Sequence, residues 1–344
     1  MQISTIGLDL GKRVFQVHGV NALGTCVLSK RLSRAQVVEF FKALAPCLVG
    51  MEACGSAHHW ARVLSGLGHE VRLIPPQYVK PYVKRNKTDA ADAAAICEAV
   101  TRPSMRFVAV KSVEQQGLGV LYRTRDLLIR QRTMSVNAVR GHLAEFGFVV
   151  AQGLTQVGKL AQLMKDAPAD HVPELAKQML TLLFEYLLKL DTRIRELDRK
   201  IAAVRRENTV CRRLGTIPGV GPIIALAVVA KVADATTFRS GRHFAAWLGL
   251  VPGQHGTGGR VQLGRITKRG DAGLRRLLVC GAMALIRQAR VRGARTMPWL
   301  EALLARKKIK LAAVALANKL ARIIWALLVR GEEYQPDMGL SVTA

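Results

Sequence analysis

The sequence predicts an α/β domain at the N-terminus and a mainly α-helical remainder. Three observations predict it: strand patterns that alternate with helix patterns between residues 3 and 76, helical periodicity that is almost unbroken from residue 113, and an apolar share of 50%. At 344 residues, the chain is longer than those that usually fold around one hydrophobic core. We therefore predict three segments, at residues 1–112, 113–207 and 208–344.

The first segment begins with three adjacent strands. Residues 3–20 alternate and are β-branched around a turn at Gly11-Lys12, and "TCVLSKRL" continues this hairpin. Further on, "RAQVVEFFKAL" predicts a helix, "CLVGME" a buried strand, "AHHWARVLSGLGH" a second helix and "EVRLIPP" a strand stopped by prolines. This order predicts a mixed sheet with helices around it.

The middle segment carries a heptad seam. Its apolar residues follow one another at steps of four and three, with charged residues between them: Leu183, Leu187, Leu190, Ile194, Leu197, Ile201 and Val204. Such a seam predicts either a coiled coil between chains or a helical hairpin within one chain, and the sequence leaves both open.

The last segment opens with a helix-hairpin-helix pattern, "LGTIPGVGPIIALAVVAKV". Gly219 and Gly221 allow close backbone approach, and amides at the start of the following helix can bind a phosphate without reading bases. A glycine-rich basic loop, "PGQHGTGGRVQLGRITKRGD", and two or three closing helices follow.

Composition indicates a nucleic-acid partner in a reducing compartment. The 52 Lys and Arg against 24 Asp and Glu give a net charge of +28, which favours polyanions. The six cysteines form no CxxC pair, so neither a zinc site nor a disulfide framework is indicated. The start lacks the pattern of a secretory signal, and the apolar stretch from Leu311 is interrupted by Asn318, Lys319 and Arg322. We expect a cytoplasmic, nucleoid-associated protein without a membrane span.

Four acids in the first segment predict a metal site. Asp89 and Asp92 share a helix face, Asp9 follows the first strand pattern, and Glu52 ends a later one. Taken singly, Asp89 has the ordinary explanation of a helix N-terminus and Asp9 that of a strand end. Together, acids this close repel one another unless a cation lies between them, and carboxylates in this order suit two Mg²⁺ ions held against a phosphate. Mn²⁺ would suit the same oxygen ligands.

Six motifs resemble the DEDD transposases of bacterial insertion sequences, also called bridge recombinases and related to the Piv-type DNA invertases. They cover almost the whole chain in the family's order: "IGLDLGK", "GMEACGS", "NKTDAADA", "PGVGP", "FAAWLGLVPGQHGTGG" and "LGRITKRGDAGLRRLLVCGA". The resemblance implies an RNase-H/RuvC-like N-terminal domain with Asp9, Glu52, Asp89 and Asp92 as the metal-binding and catalytic tetrad. It also implies a coiled-coil linker that mediates dimerisation and a C-terminal transposase domain with a serine nucleophile. A structured non-coding guide RNA would pair with both donor and target DNA.

The chain departs from the family pattern at the nucleophile. The family's loop has a serine before the paired glycines, whereas this chain has Gly256-Thr257-Gly258-Gly259. Counting forward from Pro252 places Thr257 at the nucleophile position, and counting back from Lys268 places Gly256 there instead. Thr257 is therefore our candidate nucleophile, although its methyl group crowds the approach to phosphorus. Thr267 and Ser240 are weaker candidates.

Basic residues near this loop are candidate phosphate contacts, and for some the alternative of a solvated helix face stays open. With the two glycines of the hairpin motif, the candidate nucleic-acid-binding residues are Lys87, Gly219, Gly221, Arg260, Arg265, Lys268, Arg269, Arg275 and Arg276. His58 and His59 follow Glu52 on a predicted helix, and we expect them to be packed or surface residues.

The sequence is compatible with three functions. The first is an RNA-guided DNA recombinase that forms a covalent hydroxyl–DNA intermediate, as a homodimer or a tetramer. The second is a structure-specific nuclease, like a Holliday-junction resolvase, in which water attacks. The third is a decayed transposase that only binds nucleic acid.

Overall fold

The computed structural model describes residues 2–84, 88–151, 153, 156–166, 168, 171–292 and 298–335. The chain divides into two compact units, Met1–Val113 and Glu114–Ala344. The first unit contains a five-stranded sheet, and the described part of the second is helical apart from one two-stranded hairpin. The predicted α/β region followed by a helical region is confirmed.

The sheet of the first unit is mixed, with the strand order β3-β2-β1-β4-β5. Its first three strands are antiparallel neighbours, and β4 and β5 run parallel to β1. The strands are β1 (Thr5–Leu10), β2 (Val14–Val20), β3 (Cys26–Ser33), β4 (Leu48–Glu52) and β5 (Glu70–Ile74).

Helices cover both faces of this sheet. They are α1 (Val37–Lys42), α2 (Ala57–Gly66), α3 (Pro76–Val79) and α4 (Asp89–Val100). On one face, Ile6 and Leu8 of β1 are fully buried in one apolar cluster with Phe41 of α1 and Trp60 of α2. Because side chains alternate along a strand, Gly7 and Asp9 lie on the opposite face, which α4 covers.

The second unit consists of nine described helices and a hairpin. The helices are α5 (Val113–Glu145), α6 (Val157–Asp166), α7 (Glu174–Glu207), α8 (Thr209–Leu214), α9 (Pro222–Lys231), α10 (Gly241–Trp247), α11 (Ala272–Arg292), α12 (Pro298–Arg306) and α13 (Ile309–Arg330). Strands β6 (Pro252–Thr257) and β7 (Arg260–Ile266) form a hairpin where the sequence pattern predicts a glycine-rich loop.

The long helices α5 and α7 pair in antiparallel fashion. Arg125 donates to Asp198 at 2.5 Å, and Arg132 donates to Asp191 at 2.7 Å. Residue numbers therefore rise along α5 in the direction in which they fall along α7. Four seam residues are buried within the single chain, at 1–5% exposure: Leu187, Leu190, Ile194 and Ile201. This arrangement corresponds to the alternative of a helical hairpin within one chain.

Helix α13 is the central core helix of the second unit. Ala317, Ala321 and Ile324 have no exposed surface, and Trp325 donates its indole N–H to the Ala235 carbonyl at 3.0 Å. Among the described residues α13 is also the one helix long and apolar enough to cross a membrane, by length and composition alone. Half of its most apolar window is buried inside the protein, as expected for a helix packed on protein.

Candidate active site

Two glycines let α4 lie directly on the sheet. A Cβ at Gly7 would stand 2.0 Å from the Ala93 carbonyl oxygen, and one at Gly50 would stand 2.7 Å from the Val100 Cβ. These distances are far below ordinary contact, so only a residue without a side chain fits at either position. The face of β1 and β4 that carries the two glycines is therefore the face that α4 covers.

The direction of α4 follows from the same contacts. Ala93 lies over Gly7, whereas Cys97, one turn later, directs its Sγ to the Thr5 carbonyl at 3.7 Å. The helix thus crosses β1 obliquely towards Gly50 of β4, and its first turn extends towards the carboxyl end of β1. Thr88 caps this first turn by accepting a hydrogen bond from the Ala91 amide at 3.2 Å.

The four candidate acids lie at the end of the sheet where β1 and β4 finish. Asp9 and Glu52 each follow a glycine by two residues, so both lie on the α4 face. The β1–β4 pairing ends at Leu8 opposite Met51, and one further step brings Asp9 beside Glu52 on strands about 4.8 Å apart. Asp89 and Asp92 belong to the first turn of α4, which points to this end of the sheet. All but Asp89 are partly buried.

The four acids do not converge as metal ligands in the described structure. No group of three or more His, Cys, Asp or Glu side chains within the described ranges is close enough to hold a metal ion. Asp89 instead approaches Arg31 of β3, at 3.9 Å, with both side chains about two-thirds exposed or more. Arg31 was not singled out from the sequence, because nothing local links β3 to the start of α4. Lys87, the predicted phosphate contact, lies outside the described residues.

His58 has a structural partner. Its Nδ1 accepts a hydrogen bond from the Lys111 amide at 3.2 Å, which ties α2 to the end of the first unit. Burial, followed by the nearby charges of Lys111 and Arg62, lowers the pKa of His58 to about 4. The ring is therefore neutral near pH 7, in keeping with the expected packed histidine.

Thr257 ends strand β6, next to a two-residue turn. Gly258 and Gly259 both have positive φ, at 56° and 76°, which is the conformation of a type I′ hairpin turn. Thr257 pairs directly with Arg260, and both side chains are exposed. The Thr257 hydroxyl has no hydrogen-bond partner in the described part of the chain. By contrast, the Ser240 hydroxyl accepts from the His243 amide at 3.2 Å and caps α10.

The hairpin is exposed along its length but fixed at its base. Val261 and Leu263 are 64% and 65% exposed, which is unusual for apolar strand residues. At the base, a Cβ at Gly270 would stand 1.8 Å from the Trp247 carbonyl oxygen, so the two chain segments touch. Lys231 also donates to both carboxylate oxygens of Asp271, at 2.7 and 2.9 Å. The β6–β7 hairpin is thus an exposed arm whose base is packed against α10 and tied to α9.

The candidate basic residues divide into two groups. Arg275 donates to the carbonyls of Leu248 and Arg269, at 2.9 and 3.0 Å, and Arg276 pairs with Asp126 of α5. These contacts give both arginines a role inside the fold. The other four candidates are exposed on or just after the arm: Arg260, Arg265, Lys268 and Arg269.

The two candidate glycines between α8 and α9 differ in their surroundings. Gly219 has a φ of 80°, and a Cβ there would stand 2.6 Å from the Leu285 Cδ1 of α11. Gly221 precedes α9 and would leave its Cβ with no described atom within 4 Å. The first glycine therefore closes the turn against α11, and the second faces open space.

Comparisons with known proteins cover the whole chain. A DEDD transposase model of the IS110 type matches residues 6–148, and the model described as the transposase IS116/IS110/IS902 family matches residues 211–297. A "Probable family 20 transposase" of Pseudomonas aeruginosa is 52% identical over 338 residues, covering 98% of this chain and 100% of that protein.

Two further relatives are named for their insertion sequences. The transposase for element IS1111A of Coxiella burnetii is 43% identical over 333 residues, covering 97% of this chain and 92% of its own. The transposase for element IS1328 of Yersinia enterocolitica is 41% identical over 330 residues, with coverage of 96% and 98%. The chain therefore belongs to the IS116/IS110/IS902 family and is an insertion-sequence transposase, an enzyme that recombines DNA.

Proposed function

We propose that this transposase cuts and rejoins DNA with a divalent metal held by Asp9, Glu52, Asp89 and Asp92 and with Thr257 as the nucleophile. The observation that carries the proposal is the direction of α4. Because Cys97 lies towards Thr5 at the start of β1, the first turn of α4 lies on the other side of Gly7, and its two aspartates extend towards the strand ends that carry Asp9 and Glu52.

The donor set fits a hard divalent cation. All four groups are carboxylates, which suit Mg²⁺ and also Mn²⁺. Binding requires that the acids converge and that Asp89 leave Arg31, and their exposed 3.9 Å contact is weak enough to allow this. A cation held there would polarise the scissile phosphate and stabilise the departing oxygen.

Thr257 supplies the attacking oxygen in this proposal. Its Oγ1 forms a bond to phosphorus while the bond from phosphorus to one DNA oxygen breaks. That oxygen takes up a proton, which balances the proton lost by the hydroxyl. The product is a phosphodiester between Thr257 and DNA, so the bond energy is kept for rejoining and no ATP is needed.

The second unit is proposed to grip the DNA. Residues 208–344 would form the transposase domain, and residues 113–207 a coiled-coil linker. The α8–turn–α9 segment would act as a helix-hairpin-helix that contacts phosphate at Gly219 and Gly221. The arm, with its exposed basic residues, has the form of a two-stranded ribbon that a DNA groove admits.

We also propose that a structured guide RNA selects the donor and target DNA and that the working assembly is a homodimer or a tetramer on the nucleoid in the cytoplasm. The charge of +28 supports binding of more than one nucleic acid. Sequencing of the RNA that copurifies with the chain tests the guide: a discrete RNA complementary to both sites is expected, and random fragments would contradict it.

A covalent-trap assay tests the nucleophile. The chain is expressed together with its flanking DNA and a target plasmid, the protein is denatured and digested, and nucleotide-modified peptides are sought by mass spectrometry. We expect an adduct on Thr257 that is lost in Thr257→Val, which keeps the shape and removes the hydroxyl. Thr257→Ser should retain it, because serine keeps the hydroxyl and lacks the crowding methyl group.

The matched control lies on the same helix as the acids. Asp89→Asn should abolish the adduct, whereas Glu98→Gln should retain it, because Glu98 pairs with Lys84 and Arg102 away from the site. DNA cleavage without an adduct would show that water attacks, as in a resolvase. Absence of both cleavage and adduct, with DNA still bound, would show a decayed transposase.

Metal binding has a test that does not need activity. Electron paramagnetic resonance of Mn²⁺ counts bound ions directly, and Mg²⁺ should compete for the same sites. We expect Asp9→Asn and Asp92→Asn each to weaken Mn²⁺ binding by at least tenfold. Binding that is equally strong in both variants would refute the site.

A further inference from the structure

A pocket of about 340 Å³ lies in the second unit between the start of α10, one face of α13 and the chain that follows α13. Gly331 ends α13 with a φ of 77° and turns the chain back along the helix. The Tyr334 amide then donates to the Thr216 hydroxyl at 3.1 Å, which fixes this wall of the pocket. No role in the proposed chemistry involves the pocket.

The lining of the pocket combines positive charge with apolar and aromatic surface. Its charged residues are Arg242, Arg322 and Arg330 against the single acid Glu332. Arginine is the side chain best suited to bind phosphate, because its planar fork presents several donors.

Apolar side chains form the remainder of the lining. Ile323 and Leu327 contribute aliphatic surface, and Trp325 and Tyr334 contribute aromatic rings. The Trp325 ring is held in place by its bond to the Ala235 carbonyl. Aromatic rings beside arginines are the features on which unpaired bases stack in single-strand binding proteins.

The size of the pocket restricts what it can bind. A volume of about 340 Å³ is at the lower end of ligand cavities, which span about 300–1,000 Å³. That space accommodates about one nucleotide and excludes a duplex. Thr216, which contacts the pocket wall, stands two residues before Pro218 of the α8–α9 turn, so the pocket lies beside this turn.

We propose that this pocket binds one unpaired nucleotide, with its phosphate on the arginines and its base against Trp325 and Tyr334. The inference depends neither on the metal site nor on Thr257. An extrahelical nucleotide of either DNA or RNA carries this phosphate and base.

Photo-crosslinking tests the proposal on the full-length chain. The probes are tetranucleotides that carry one 5-iodouracil, one made of DNA and one of RNA, and mass spectrometry locates the modified residue. We expect crosslinks at Trp325 or Tyr334. The probe that crosslinks in higher yield shows whether the pocket's natural ligand is DNA or RNA. Crosslinks confined to residues outside the pocket would overturn the proposal.

Affinity measured by fluorescence anisotropy gives an independent readout. Arg242→Gln and Arg330→Gln, both exposed in the wild-type chain, should each weaken binding of the tetranucleotide about tenfold. Arg199→Gln removes the same charge from the exposed surface of α7 and should change affinity by less than about twofold. Equal losses in all three variants would indicate general charge attraction and overturn the proposal.

A last variant separates base recognition from charge. Ala326→Trp fills the pocket while keeping its arginines, and should abolish the crosslink in protein whose melting temperature shows that it is folded. An abasic tetranucleotide should bind at least tenfold more weakly than the complete one. If the abasic probe binds equally well, the pocket is an anion site without base recognition, and the proposal fails.

Discussion

Replacing Gly7 by alanine tests whether the packing of α4 on the sheet positions the acids. The new Cβ would meet the Ala93 carbonyl oxygen at 2.0 Å and the Cys97 amide nitrogen at 2.5 Å. Both atoms belong to the backbone of α4, so no side-chain rotation relieves the clash. The helix must retreat by roughly 1.4 Å before ordinary contact distance is restored.

Two magnitudes follow for the Gly7→Ala variant. Overpacking of a core costs about 1–3 kcal/mol, and a clash with backbone should reach the upper end of that range. At about 4–8 °C for each kcal/mol in a unit of this size, the melting temperature of the first unit should fall by roughly 12–24 °C. Since a misplacement of about 1 Å costs on the order of 100-fold in rate, cleavage by the folded fraction should fall by a similar factor.

The assay pairs calorimetry with DNA cleavage at a temperature where the variant is folded. Gly66→Ala is the matched control, because a Cβ at Gly66 meets no described atom within 4 Å. It should melt no lower than the unmodified chain, since alanine at a compatible position stabilises slightly, and it should cleave at the same rate. A Gly7→Ala variant that melts within about 2 °C of the control would refute the packing argument. One that melts early but cleaves normally when folded would refute the role of α4 in positioning Asp89 and Asp92.

Three further predictions concern stability. Because the pKa of His58 falls from 6.5 to about 4 on folding, only the unfolded chain takes up this proton between those values, so stability should drop as pH falls through that window; His58→Gln should remove this slope in urea titrations. Gly219→Ala should lower the melting temperature of the second unit, whereas Gly221→Ala should leave it unchanged and show its effect only in DNA affinity. Arg125→Met and Asp198→Asn should each cost about 1–2 kcal/mol, and a double-mutant cycle should show that the two losses are not additive.

The elements of the first unit were predictable because each has a buried face. Alternation in "STIGLDL" and "VFQVHGV" reflects side chains such as Leu8 and Val17 that are fully buried on one side of the sheet. The arm escaped prediction as a hairpin because almost all of its residues are exposed, so no core selects its pattern. Its one local signal was Gly258-Gly259 between short alternating runs, which is typical of a two-residue hairpin turn.

The candidate site was predictable only in part for a related reason. The i, i+3 spacing indicates that Asp89 and Asp92 share a face, and strand ends indicate where Asp9 and Glu52 lie. The spacing does not say which way α4 crosses the sheet, since that depends on Gly7 and Gly50 meeting Ala93 and Val100. The Arg31–Asp89 pair is likewise set by tertiary structure, because 58 positions of chain separate the two residues.

The net charge of +28 and the group of four acids are compatible because they act over different ranges. Charges in physiological salt are screened beyond about 8 Å, so distant cations attract DNA to the protein without cancelling the local field of the acids. Arg31 beside Asp89 is close enough to act locally, but as an exposed pair it contributes little. A DNA phosphate brought to this end of the sheet would therefore be repelled unless a metal cation arrives with it. The proposed mechanism therefore assigns affinity for DNA and cleavage to separate residues, and it predicts that Asp89→Asn abolishes cleavage while leaving DNA binding intact.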